Sequence, residues 1–171
     1  ARLAELVTLS TEKLDAYKLL EPTRAIREFT DDLSPWYLRR SRDRFKSDDA
    51  LDKAAALHTT RYVLYTVAKL MAPFTPFFAD DLFGRVKSSY DPESVHLSDW
   101  PKAAKVDEKL LKDMQETRRL VTLGLEQRSK ANIKVRQPLS GVKIKHQKTK
   151  LGADFIGLIK DELNVKGVSY V

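Results

Sequence analysis

The stretch "LDKAAALHTTRYVLYTVAKLMA", Leu51 to Ala72, decides the fold. Leu57, Leu64, Val67, Ala68 and Met71 recur at the three- and four-residue intervals of one helix face. Leu51, Ala55, His58, Tyr62 and Tyr65 form a second, more polar stripe. Apolar residues on two sides predict a helix with neighbours on two sides, the middle of a bundle. Ser47-Asp48-Asp49 offers capping oxygens just before it. "PFTP", Pro73 to Pro76, ends it, because proline lacks an N–H and clashes with the preceding turn.

Outward from that helix the pattern stays helical. Arg2 to Leu20 keeps Leu3, Leu6, Val7, Leu14 and Tyr17 near helical spacing. Glu21-Pro22-Thr23 breaks it and starts a second helix with Ile26, Phe29, Leu33 and Trp36 on one face. Phe77 to Val86 is a short fourth helix rich in phenylalanine. Tyr90 to Pro101 reads as a crossing loop anchored by Val95, Leu97 and Trp100. A long fifth helix, Val106 to Ala131, buries Leu110, Met114, Thr117, Val121 and Leu125.

The period then changes. "GVKIKHQ", Gly141 to Gln147, alternates as a half-buried strand does. "ADFIGLIKDELNV" is a short helix and "KGVSYV" a last strand. The expected fold is mainly α: an antiparallel helical bundle of about five helices, residues 1–135, with a small C-terminal α/β appendage, residues 136–171. Two strands alone are marginal in water, so the appendage leans on the bundle or is completed beyond Val171. With Ala1 standing in mid-pattern, the chain reads as a piece of a longer one.

Composition narrows the chemistry. The 171 residues include 31 Lys and Arg against 24 Asp and Glu, a net charge of +7 that favours a polyanionic partner. There is no cysteine, which excludes disulfides and cysteine-ligated zinc. His58, His96 and His146 show no ligand spacing, so no metal site and no catalytic residue is expected. No apolar run approaches the roughly 20 residues that span a bilayer, and no membrane partner is expected. P-loop, dinucleotide-turn and Gly-x-Ser-x-Gly patterns are absent, as are HIGH- and KMSKS-like motifs. The pairs Asp31-Asp32 and Asp80-Asp81 are adjacent, about 100° apart on a helix, which suits surface or capping roles rather than paired acid–base work.

Two basic regions stand out. In "DDLSPWYLRRSRDRF", Asp31 to Phe45, helical phase puts Trp36 and Tyr37 on the face of Ile26, Phe29 and Leu33, with Arg40 and Arg44 continuing it. Trp36 and Tyr37 are expected to finish the core, or to stack on bases. Arg40 and Arg44 either pair with carboxylates or reach past the core. Arg39, Arg42 and Lys46 fall together on another side, placed for phosphates. Pro35 predicts a kink or a brief restart rather than a long break. The second region runs from Arg128 to Lys150 without an acidic residue: Arg128, Lys130, Lys134, Arg136, Lys143, Lys145, Lys148 and Lys150. Such a run at a helix-to-strand junction suits a wall that tracks a phosphate backbone. The candidate nucleic-acid-binding residues are Arg39, Arg40, Arg42, Lys46, Arg128, Lys130, Lys134 and Arg136, with Trp36 and Tyr37 for base stacking.

These residues also carry a resemblance. "DDLSPWYLRRSRDRF" resembles the DxSxWYxRRSRxRF stretch of isoleucyl-tRNA synthetases, and "LMAPFTPFFADDLF" the class I synthetase segment that follows it. "SVHLSDWP", "KVRQPL" and "DELNVK" then occur in the same order, so the similarity runs from about Phe29 to Lys166. The APFTPF-type segment is shared with valyl and leucyl enzymes, while WYxRRSR joined to KVRQPL and ELNVK points to the isoleucyl branch. Pro35 stands where asparagine is more usual, and Asp43 interrupts an otherwise more basic run. The resemblance implies an anticodon-binding bundle and the start of a C-terminal region, with tRNA for isoleucine as partner. It implies a cytoplasmic parent enzyme that joins isoleucine to tRNA using ATP and Mg²⁺. The catalytic and editing domains would lie upstream in the same chain, leaving this portion non-catalytic and without a cofactor of its own. A valyl or leucyl relative and a basic helical protein-interaction domain are the alternatives.

Overall fold

The structure is a computed structural model that describes residues 1–145 and 151–171. His146 and Gln147, expected at the end of a strand, and Lys148 and Lys150 of the basic run lie outside the described residues. The chain divides into two compact units, Ala1–Val106 and Asp107–Val171. The fifth long helix therefore groups with the C-terminal α/β elements, whereas the sequence reading drew a boundary after residue 135.

The first unit opens with α1 (Arg2–Asp15) and α2 (Leu20–Leu33). The first of these stops five residues short of the predicted end. Tyr17 takes a left-handed φ of 56°, and the N–H groups of Tyr17 and Lys18 close back on the carbonyls of Leu14 and Lys13. That is a Schellman ending with tyrosine where glycine or asparagine is usual. Helix α2 begins at Leu20, so Pro22 sits in its first turn, where no N–H is needed. It runs directly into a π-helical turn, Ser34–Leu38, and then the one-turn α3 (Arg42–Phe45).

Asp49 caps α4 (Ala50–Met71), its Oδ1 accepting from the N–H of Leu51 at 2.9 Å and of Asp52 at 3.3 Å. Helix α5 (Pro76–Val86) starts with proline at its first position. Leu6 and Val7 of α1, Ile26 and Phe29 of α2, and Val67 and Leu70 of α4 make one core cluster. Ala68 with Ala79 and Phe83 of α5 and Val95 of the loop make a second. Both draw on the C-terminal half of α4 only. Leu57 is 50% exposed, and Leu51 and Tyr62 are more so, which corrects the expectation that the helix is central along its whole length. The larger helices of this unit pack on its far end, and the one-turn α3 meets its near end.

The crossing loop is held by two carboxylates. Asp80 Oδ1 accepts from Ser94 Oγ at 2.7 Å and from the Val95 N–H at 2.9 Å. Asp91 accepts from the Ser88 N–H, the Ser88 hydroxyl and the Tyr65 hydroxyl at 2.6, 2.7 and 2.8 Å. Val95 is buried and Trp100 packs on the first core cluster. Trp100 Nε1 also donates to Thr11 Oγ1 at 2.8 Å. Leu97, expected as a third anchor, is 70% exposed: it ends a single 3₁₀ turn, Val95–Leu97, whose Val95 takes the buried place.

The second unit contains α6 (Glu108–Lys130), β1 (Val142–Ile144), α7 (Ala153–Leu163) and β2 (Val168–Tyr170). The strands pair in parallel, Val142 opposite Val168 and Ile144 opposite Tyr170, and α7 connects them. Helix α7 also packs on α6. Gly124 lets it come close: a Cβ there would stand 2.5 Å from Leu163 Cδ1 and 2.7 Å from Cδ2. On α6 Thr117, Leu120 and Val121 are buried, whereas Leu110, expected on the buried face, is 45% exposed in the first turn. The whole is mainly α with a small α/β appendage. Among the described residues no helix is long and apolar enough to cross a membrane.

Candidate nucleic-acid interface

In the first unit the geometry starts from Pro35. Proline has no N–H to give to the turn before it. The helix answers by widening: the Arg39 N–H donates to the Ser34 carbonyl, five residues back, at 3.0 Å. A π-turn inserts one residue without ending the helix, and such turns recur at functional sites. Where a kink or a brief restart is expected, the helix runs on without a break through one widened turn.

Exposure sorts the side chains much as helical phase does. Arg39, Arg42 and Lys46 are exposed, while Trp36, Tyr37, Arg40 and Arg44 are partly buried. Arg39 Nε donates to the Pro35 carbonyl at 3.0 Å, so its stem folds back along the widened turn. Arg44 grips Asp52 at the start of α4, with Nε at 2.9 Å and Nη2 at 2.7 Å from Oδ1. That fork holds the Asp52 carboxyl below the usual carboxylate range. It makes Arg44 a tether between α3 and α4. Tyr37 extends toward α4, its hydroxyl 3.5 Å from the Ala56 carbonyl. Among the described residues neither Trp36 nor Tyr37 belongs to the two core clusters, so they border the core rather than fill it. Arg42 and Lys46 form no ion pair among the described residues, so their charge faces water.

In the second unit the basic run splits. Lys130, Lys134, Arg136, Lys143 and Lys145 are exposed. Arg128 is not: it is 5% exposed, and its guanidinium donates to three carbonyls. Nη1 reaches Lys134 O at 3.1 Å, and Nη2 reaches Gln137 O at 3.0 Å and Asn164 O at 3.2 Å. Its expected place among the phosphate contacts is corrected on this ground, because a side chain turned inward cannot meet a backbone phosphate. Helix α6 ends in a Schellman motif with Asn132 at φ 54°, and the Ile133 N–H returns to the Arg128 carbonyl at 2.9 Å. The chain then turns through Lys134–Gln137 before Leu139 joins Val165 in the parallel ladder.

Sequence reasoning passed over Asn164. It ends α7 in the left-handed region at φ 48°, and its Nδ2 donates to the Val135 carbonyl at 2.9 Å. An asparagine just past a periodic helix was the available signal. Beside this turn an open groove of about 430 Å³ lies between α6, β1 and α7, floored by Leu120, Leu123 and Ile144 and edged by Arg119, Lys143 and Lys145.

Exposed cations thus stand on the widened turn of the first unit and, separately, on the pinned turn of the second. The chain belongs to the family of anticodon-binding domains of tRNA ligases, whose model matches residues 1–144. Among individual relatives, an isoleucine–tRNA ligase of Chlamydia trachomatis is 41% identical over 175 residues, covering 98% of this chain and 17% of that protein. The isoleucine–tRNA ligase of Thermus thermophilus is 42% identical, covering 98% of this chain and 17% of that protein. That of Deinococcus radiodurans is 40% identical, covering 100% of this chain and 16% of that protein. The resemblance to isoleucyl-tRNA synthetases is borne out, and these matches do not favour a valyl or leucyl identity. The chain spans about one sixth of the length of the curated relatives it matches.

Proposed function

We propose that this chain binds the anticodon stem-loop of an isoleucine tRNA, as a module of a cytoplasmic enzyme that joins isoleucine to that tRNA with ATP and Mg²⁺. The observation that carries the reading is the identity of about 40% to isoleucine–tRNA ligases across nearly the whole chain. Activation, transfer and editing belong to other domains of the parent enzyme. Among the described residues no group of three or more His, Asp or Glu side chains could hold a metal ion.

The contacts divide by chemistry. Arg39, Arg42 and Lys46 in the first unit, and Lys130, Lys134 and Arg136 in the second, take phosphates. Arg40 supports the first set from its partly buried position. Trp36 and Tyr37 offer ring faces to unstacked loop bases. Phosphate contacts fix the register of the stem-loop, and loop bases carry the sequence information.

Titration of the 171-residue chain with an isoleucine tRNA, and with the same tRNA carrying a changed anticodon, tests this at two salt concentrations. The native anticodon should bind more tightly, and the preference should persist as salt rises. Equal binding of both tRNAs that collapses with salt would reduce the chain to a nonspecific electrostatic grip and overturn the reading.

A further inference from the structure

Lys134 to Gln137 form a closed turn, the Gln137 N–H donating to the Lys134 carbonyl at 3.0 Å. All four side chains are exposed, while three of the four carbonyls are held from the scaffold side. Lys134 O and Gln137 O are taken by Arg128, at 3.1 and 3.0 Å. Val135 O is taken by Asn164 Nδ2 at 2.9 Å. Arg128 also binds the carbonyl of Asn164 itself, which ties the two donors together.

Arg128 is a buried cation with no ion-pair partner among the described residues, and its Nε has no hydrogen-bond acceptor there. Burying such a charge is costly, and carbonyl dipoles are its main compensation here. A residue that only filled space at this position would not need a charge. The arrangement does one specific thing: it turns the negative ends of the peptide dipoles of Lys134, Val135 and Gln137 inward. The N–H groups of Val135 and Arg136 meet no backbone carbonyl among the described residues. They and the two cationic side chains are left for an anion, in the manner of a backbone nest.

We propose that Arg128 and Asn164 are positioning residues that preset the Lys134–Gln137 turn to receive a phosphodiester of the RNA. Neither touches the phosphate; both lower the cost of ordering the turn when RNA arrives. This rests on the reading that the chain binds tRNA through Lys134 and Arg136.

A double-mutant cycle on the full chain tests it. Asn164→Gly keeps a residue that tolerates the left-handed backbone and deletes the contact to Val135 O. It should weaken tRNA binding roughly fivefold, the size of one hydrogen bond. In a Lys134→Ala/Arg136→Ala background, where only the two N–H groups remain to meet the phosphate, its effect should be clearly smaller. Arg128→Gln should lose more, with the same dependence on background, and Asn164→Gly carries the test alone if Arg128→Gln does not fold. Equal losses in both backgrounds would overturn the positioning role, because the residues would then act on RNA directly or through stability. No loss from Asn164→Gly in the unaltered chain would overturn it too. If Lys134→Ala/Arg136→Ala itself leaves tRNA affinity unchanged, the turn is not a contact, and the reading beneath the inference fails separately.

Discussion

Asp91 shows how much one carboxylate organises in this chain. It accepts two hydrogen bonds from Ser88 and one from Tyr65, and lies 3.5 Å from Arg61 Nη2. The Ser88 N–H and hydroxyl, then the Tyr65 hydroxyl, hold its pKa down at about 2 against an ordinary 3.8. A carboxylate whose folded pKa is depressed stabilises the fold above its unfolded value, and that contribution is lost as pH falls through the folded one. Asp91→Asn should therefore lower the urea midpoint at neutral pH, and the gap to the unaltered chain should close between about pH 4 and pH 2. A gap that stays constant across that range would mean the carboxylate charge contributes nothing. Of this tether the sequence offered only "YDPES", legible as a loop. Its partners Tyr65 and Arg61 lie on α4, 26 and 30 residues earlier in the chain, and no local pattern links them.

Between elements, the contact that most constrains packing is Gly124 against Leu163. Leu163 is 2% exposed, and its two methyl carbons are the first atoms that a Cβ at position 124 would meet. Gly124→Ala has two opposed effects: helix propensity improves by about 1 kcal/mol, and overpacking costs about 1–3 kcal/mol. The net should be a loss of about 1 kcal/mol in urea unfolding, taking mid-range values for both. In a Leu163→Ala background the clash is gone, so the same substitution should stabilise. A change of sign between backgrounds is the signature; the same sign in both would deny that α7 approaches α6 at this glycine. The elements themselves were largely legible. Helices α4, α5 and α6 fall within about two residues of their predicted limits, because period, capping aspartates and proline all agree there. Burial was less legible. Leu57, Leu97 and Leu110 have the spacing or type of core residues, yet stand exposed, since period gives a face and not what covers it. Arg128 failed in the opposite direction. In a run of cations nothing marks the one that turns inward, because its acceptors are backbone carbonyls, including that of Asn164, 36 residues on. The widened turn at Pro35 was half legible, since proline predicts a disturbed helix but not that the ladder resumes five residues apart.

At the scale of the chain, two compact units meet at Val106 and Asp107. Residues 101–107 have neither helix nor strand, and Lys102, Ala103, Ala104 and Lys105 are exposed. Proteases need an extended, accessible segment, and boundaries between units are where such segments concentrate. Most other lysines and arginines among the described residues lie within helices or in turns pinned by hydrogen bonds. Limited trypsin treatment should therefore cut first after Lys102 or Lys105, leaving two fragments that resist further digestion. Mass spectrometry of the early products reads this directly. A first cut after Arg39, Arg40 or Arg42 would instead show the widened helix opening more readily than the connecting segment. The same digestion bears on binding, because the proposed phosphate contacts fall in both units, Arg39, Arg42 and Lys46 in one and Lys130, Lys134 and Arg136 in the other. Each phosphate neutralised releases counterions, so the slope of log affinity against log salt counts contacts. If both sets engage one tRNA, the separated fragments should each show a shallower slope than the intact chain. A fragment that retained the full slope would place every phosphate contact in a single unit.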